Sequence, residues 1–70
     1  MTEATLQRIE RTAREAYRYW RRAGVPRYHR QHQRLVLIDQ LHAAVADGHD
    51  PVDVVGGEVA AFASDWARCW

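Results

Sequence analysis

Residues 1–70 predict an all-α fold, a small three-helix bundle with a short extra helical turn before the last helix. Apolar side chains recur at spacings of three and four along each long segment, as the core-facing stripe of a helix requires. Those segments are punctuated by Gly24 with Pro26, Gly48 with Pro51, and Gly56 with Gly57, so the connections are short, as antiparallel packing of neighbours needs. One short stretch, Pro51 to Val55, also reads as a β-strand, but a lone strand has nothing to pair with. The chain therefore reads as a single helical domain with helices at about 2–23, 27–47 and 58–69 and the short turn at 51–55.

The first helix opens with Thr2 as N-cap and Glu3 in the first turn, where the helix dipole favours an acid. Leu6, Ile9, Ala13, Ala16, Trp20 and Ala23 form its apolar stripe, widened by Tyr17. At 100° per residue, Arg8, Arg11, Arg14, Arg18, Arg21 and Arg22 fall on the opposite side. Glu10 with Arg14 and Arg11 with Glu15 have the spacing to pair, whereas Arg14, Arg18 and Arg22 repel one another. Gly24 and Pro26 stop this helix. The second begins at Pro26 or Arg27. Its first third is strongly polar, and its remainder carries a wide apolar arc of Leu35, Leu37, Ile38, Leu41 and Val45, with His42 and Ala46. An arc that wide predicts contact with more than one neighbour. Val36 falls outside it and is expected in solvent. After Gly48, Asp50 is an N-cap followed by Pro51 at the first helical position. In the last helix Val59, Phe62, Ala63, Trp66 and Trp70 share one face, and Ala60, Ala61, Ser64, Asp65 and Arg68 point away.

Composition narrows the function classes. The chain is 47% hydrophobic and 27% charged, an ordinary balance for a folded, water-soluble domain. At 8.1 kDa it hides only about 62% of the surface its unfolded form exposes, so contacts with a partner or a second copy are expected to add stability. No segment approaches the ~20 apolar residues of a membrane span. The N-terminus, polar from Thr2 onward, does not read as a signal peptide. One cysteine, Cys69, excludes an internal disulfide framework and points to a reducing, cytoplasmic setting.

The charge is divided. Residues 1–34 carry nine arginines against three glutamates, or +6, and residues 35–70 carry one arginine against six acids, or −5; together they give the net +1. No lysine is present, so every cation is a planar fork suited to carboxylate or phosphate. The candidate interaction face is Arg8, Arg11, Arg14, Arg18, Arg22, Arg27 and Arg30, with Trp70. These arginines meet nucleic acid, meet an acidic protein surface, or match the acidic half within the chain or across a dimer.

Other constellations support less. His29 and His32 sit three apart, but metal ligation needs further ligands that nothing in the sequence places beside them, so no metal and no cofactor is expected. His42 reads as a core-edge histidine. Trp20 and Trp66 fit core stripes, whereas Trp70 either packs across the bundle or anchors a partner. Cys69 has no neighbour that would activate its thiol. No nucleophile and base stand at a recognisable spacing, and Gly56-Gly57 is not a phosphate loop, so no catalytic residue is assigned.

The run from Gly48 through Asp53-Val54-x-Gly56, Glu58, Val59 and Phe62 resembles the C-terminal motif of a family of small bacterial helical proteins of unknown function, the DUF1048 group. Its members often accompany PadR-type transcription regulators. The resemblance spans residues 48–66. It implies a helical accessory domain connected with transcriptional control and brings no catalytic residues with it. The expected function is thus a non-enzymatic helical protein-protein interaction module that binds a protein partner or forms a homodimer. The alternative is a small nucleic-acid-binding protein using the arginine-rich helical face.

Overall fold

The computed structural model describes residues 2–54 and 59–68. Among these residues the chain is all-α: α1 spans Glu3–Arg22, α2 Arg27–Ala46, α3 Pro51–Val54 and α4 Val59–Ala67. α1 packs against both α2 and α4, and α3 bridges α2 to α1.

The helix boundaries follow from local chemistry. Thr2 caps α1, its hydroxyl accepting from the Thr5 N–H at 3.2 Å. α1 ends in a Schellman turn. The Val25 N–H donates to the Trp20 carbonyl at 3.0 Å and the Gly24 N–H to that of Arg21 at 3.3 Å. Gly24 takes φ +84, which a side chain would oppose. Val25 and Trp20 are both buried, so the turn closes with the hydrophobic contact that usually accompanies it. α2 ends the same way, with the His49 N–H on Ala44, the Gly48 N–H on Val45, and Gly48 at φ +88. α2 starts less well. Pro26 precedes its first residue without a side-chain cap, and its first turn holds Arg27 and Arg30 but no acid, the wrong sign for a helix N-terminus. α3 follows Asp50, whose carbonyl accepts from the Asp53 N–H at 2.9 Å.

Among the described residues the core comprises Ile9, Ala13, Ala16, Trp20, Val25, Leu37, Leu41 and Ala63. Trp20 is its centre. The ring is fully buried, its Nε1 donates to the Ala63 carbonyl at 2.9 Å, and it stacks on Trp66 at 5.7 Å with 11° between planes. Phe62 leans on Trp66 at 4.7 Å. An indole that buries its area and satisfies its N–H fixes α4 on α1.

Several expectations are corrected. Leu6 is 40% exposed, because three residues turn a helix by about 300° and set it some 60° from Ile9, at the edge of the stripe. Ala23 is exposed, since the helix ends before it and the chain turns away. Leu35 is 58% exposed and Val36 half-buried; Leu37 and Leu41 centre the buried face, which turns Leu35 outward. The Glu10–Arg14 and Arg11–Glu15 pairs are not closed. Among the described residues the ion pairs are Arg8–Asp50 and Asp65–Arg68. The readings on Val55, Gly56, Gly57, Glu58, Cys69 and Trp70, and on the side chains of Val59 and Ala60, lie outside the described residues.

Candidate interaction site

Three environments hold the candidate arginines. Arg8 reaches from α1 to the start of α3, where its Nη2 donates to both Asp50 oxygens at 2.7 and 2.6 Å. It joins the basic and acidic halves of the chain. Arg30 is half-buried and ties three pieces together: Nε donates to the Tyr17 hydroxyl at 3.1 Å and Nη1 to the Val25 carbonyl at 3.1 Å. These two arginines belong to the fold and leave the candidate binding face. Arg11, Arg14, Arg18, Arg22 and Arg27 are exposed. Arg18, Arg21 and Arg22 line one open concavity, and no carboxylate is among its described lining residues. Arg21 and Arg22 sit in the last turn of α1, a place favourable without any ligand, because cations stabilise a helix C-terminus.

Tyr17 organises the junction between α1 and α2. Arg30 and Arg34 sit over its ring, 5.4 and 5.7 Å from the centroid, within cation–π range. The Arg30 hydrogen bond, helped by the charges of Arg30, Arg27 and Arg34, lowers the Tyr17 pKa against the opposing effect of burial. A groove of about 360 Å³ runs beside it, lined by Glu10, Ala13, Arg14, Tyr17, Arg34 and Ile38.

The outer side of α2 is the feature that sequence reasoning missed. Tyr28 is 77% exposed and Leu35, one heptad on, 58%. Gln31 is exposed, and Ile38, His42 and Val45 are half-buried. Positions 28, 31, 35, 38, 42 and 45 alternate spacings of three and four, which places them on one ridge. The signal is present in the sequence, but it overlaps the core-facing stripe on the same helix, which Leu35 fits equally well.

A concavity lined by Thr5, Arg8, His49 and Asp50 brings a hydroxyl, an imidazole and a carboxylate near one another. Both Asp50 oxygens accept from Arg8, and the Thr5 hydroxyl bonds that of Thr2 at 2.9 Å. Among the described residues no three or more His, Cys, Asp or Glu side chains gather to hold a metal, and no helix is long and apolar enough to cross a membrane. Comparison with protein-family models, curated proteins and solved structures gave no match.

Proposed function

We propose that the protein is a non-enzymatic helical interaction module whose outer α2 ridge docks a protein helix. The observation that carries this reading is the exposure of Tyr28 and Leu35 on a ridge with helix-pairing periodicity, in a domain whose core is thin. Single exposed apolar residues are ordinary; two on one ridge, one heptad apart and beside the half-buried, core-packed Ile38 and Val45, offer a seam onto which a second helix packs. The resemblance of residues 48–66 to a regulator-associated family supports an accessory role in transcriptional control, and the single cysteine supports a cytoplasmic setting. A photo-crosslinking amino acid at position 35, compared with the same probe at position 18, tests the module in the producing cells. Protein adducts from 35 and none from 18 are expected. No adduct from 35, or equal adducts from both, overturns the reading.

A second reading, a nucleic-acid contact, is favoured by the convergence of Arg18, Arg21 and Arg22 with no carboxylate among the described lining residues, and by the exposed Arg27. It requires binding to duplex DNA whose logarithm falls with salt at about −0.9 per phosphate contacted. Arg18→Glu with Arg22→Glu abolishes such binding and leaves the helical content unchanged. Binding that survives both substitutions excludes this face.

A further inference from the structure

Resting on the module reading, we infer that the helix docked on α2 is α2 of a second copy, the two running parallel about a two-fold axis. The ridge from Tyr28 to Val45 is about 27 Å long at 1.5 Å per residue, with the 3.5-residue mean spacing of a two-helix seam. What selects a second copy is the charge on its two flanks. Arg27 and Arg34 flank the ridge on the side of α1, and His32 and Asp39 flank it on the other. In a parallel pair, a residue on the first flank meets the residue five places later on the partner's second flank. Arg34 then meets the partner's Asp39, and symmetry repeats the pair, so one self-complementary patch gains two ion pairs. Antiparallel packing sets each flank against its own kind, which brings Arg34 toward a second arginine and Asp39 toward a second acid.

The structure prepares both partners. Arg34 is already held over the Tyr17 ring, so pairing immobilises less side chain. Asp39 is exposed and has no ion-pair partner among the described residues. Arg14, Tyr17 and Arg34 line one groove together with Glu10, so the incoming carboxylate meets a basic site whose net charge one acid limits. Tyr28 and Leu35 are the exposed apolar side chains of the ridge; Ile38 and Val45 are half-buried against the core and offer only their remaining surface, and Gln31 and His42 between them make the seam partly wet.

Sedimentation equilibrium of the purified full chain, from about 5 µM to about 500 µM, tests the pairing. The mass is expected to rise from 8.1 kDa toward twice that value. Leu35→Asp is expected to stay monomeric with an unchanged circular dichroism spectrum, since the side chain is already in solvent. Arg34→Asp and Asp39→Arg are each expected to weaken association roughly tenfold, and the two together to restore it. Leu35→Cys in a Cys69→Ser background is expected to form a disulfide-linked dimer on mild oxidation, because parallel packing sets position 35 opposite itself. A chain that stays monomeric throughout overturns the inference. So does a dimer indifferent to Leu35→Asp, a charge swap that fails to restore association, or the absence of the 35–35 disulfide. A monomeric chain that still gives adducts to a different protein from position 35 overturns the self-pairing alone and keeps the module.

Discussion

α1 and α2 have the same length and divide their surfaces differently. α1 gives Ile9, Ala13, Ala16 and Trp20 to the core and leaves arginines opposite, so it needs apolar neighbours on one side only. α2 gives Leu37 and Leu41 to the same core yet keeps Leu35 in solvent on a second ridge. The arginines divide in a parallel way. Arg8 and Arg30 reach other elements and are fixed by them, whereas Arg18, Arg21 and Arg22 cluster around one open concavity. In so small a bundle residue type does not assign the role. Two positions along α2 turn a leucine by about 200°, which is the difference between Leu37 at the core and Leu35 at the ridge.

That contrast is broken most directly at those two leucines. Leu37→Ala removes a fully buried side chain and is expected to cost about 2–5 kcal/mol, a large part of the roughly 4–10 kcal/mol that a domain of this length holds. Leu35→Ala is expected to change monomer stability by no more than about 0.5 kcal/mol while weakening self-association. Urea unfolding followed by circular dichroism at low protein concentration separates the two. Equal losses at both positions would show that α2 has one buried face rather than two faces with different duties.

The arginines supply the next test. Arg30→Met leaves the Tyr17 hydroxyl and the Val25 carbonyl without their charged donor and is expected to cost about 1–3 kcal/mol. Arg18→Met touches no described partner and is expected to fall within about 0.5 kcal/mol of the parent. Chemical denaturation of the pair measures both. Similar values would mean that Arg30 is no more structural than its exposed counterparts.

Much of the fold was legible in the sequence because its signals are local. A capping threonine, two glycines at helix ends and a single clean stripe on α1 each act within a few residues. The candidate site was less legible, because which arginines bind is decided at long range. Arg8 and Arg30 look like Arg11 and Arg18 until Asp50 and the Val25 carbonyl come into reach. Leu35 was misread for a related reason. The wide apolar arc on α2 correctly implied more than one neighbour, but which edge of a wide arc faces inward depends on where α1 lies. In the sequence Tyr17 only widens the stripe; its role as platform for Arg30 and Arg34 joins residues 13 and 17 positions apart.

A smaller effect is expected at Arg8. Its pair with Asp50 joins the basic and acidic halves, but both side chains are two-fifths to one-half exposed. Water and salt screen such a pair, so Arg8→Ala is expected to cost less than about 1 kcal/mol, with the loss fading as ionic strength rises. Thermal unfolding at low and high salt checks it. A larger, salt-independent loss would make this pair as structural as Arg30.

Tyr17 gives the finest test, since its hydroxyl reports directly on the α1–α2 junction. The Arg30 hydrogen bond and the nearby charges of Arg30, Arg27 and Arg34 favour the phenolate over the phenol, and burial opposes them less strongly. The folded-state pKa therefore lies below the unfolded value of about 10. Between those two values the folded state binds fewer protons than the unfolded one, so stability from this group rises with pH across that window. It is present in full above about pH 10, is lost as pH falls through the folded value, and adds nothing at neutrality. Tyrosinate absorbance measures the titration, with Tyr17→Phe subtracted to remove Tyr19 and Tyr28. The difference is expected to be a single step below about pH 10, moving upward toward that value in Arg30→Met. A step that stayed in place when Arg30 was replaced would place the cause elsewhere than in the contact that locks α2 onto α1. The exposed ridge would then lose its rigid support, because the same guanidinium fixes the start of α2 from which Tyr28 and Leu35 project.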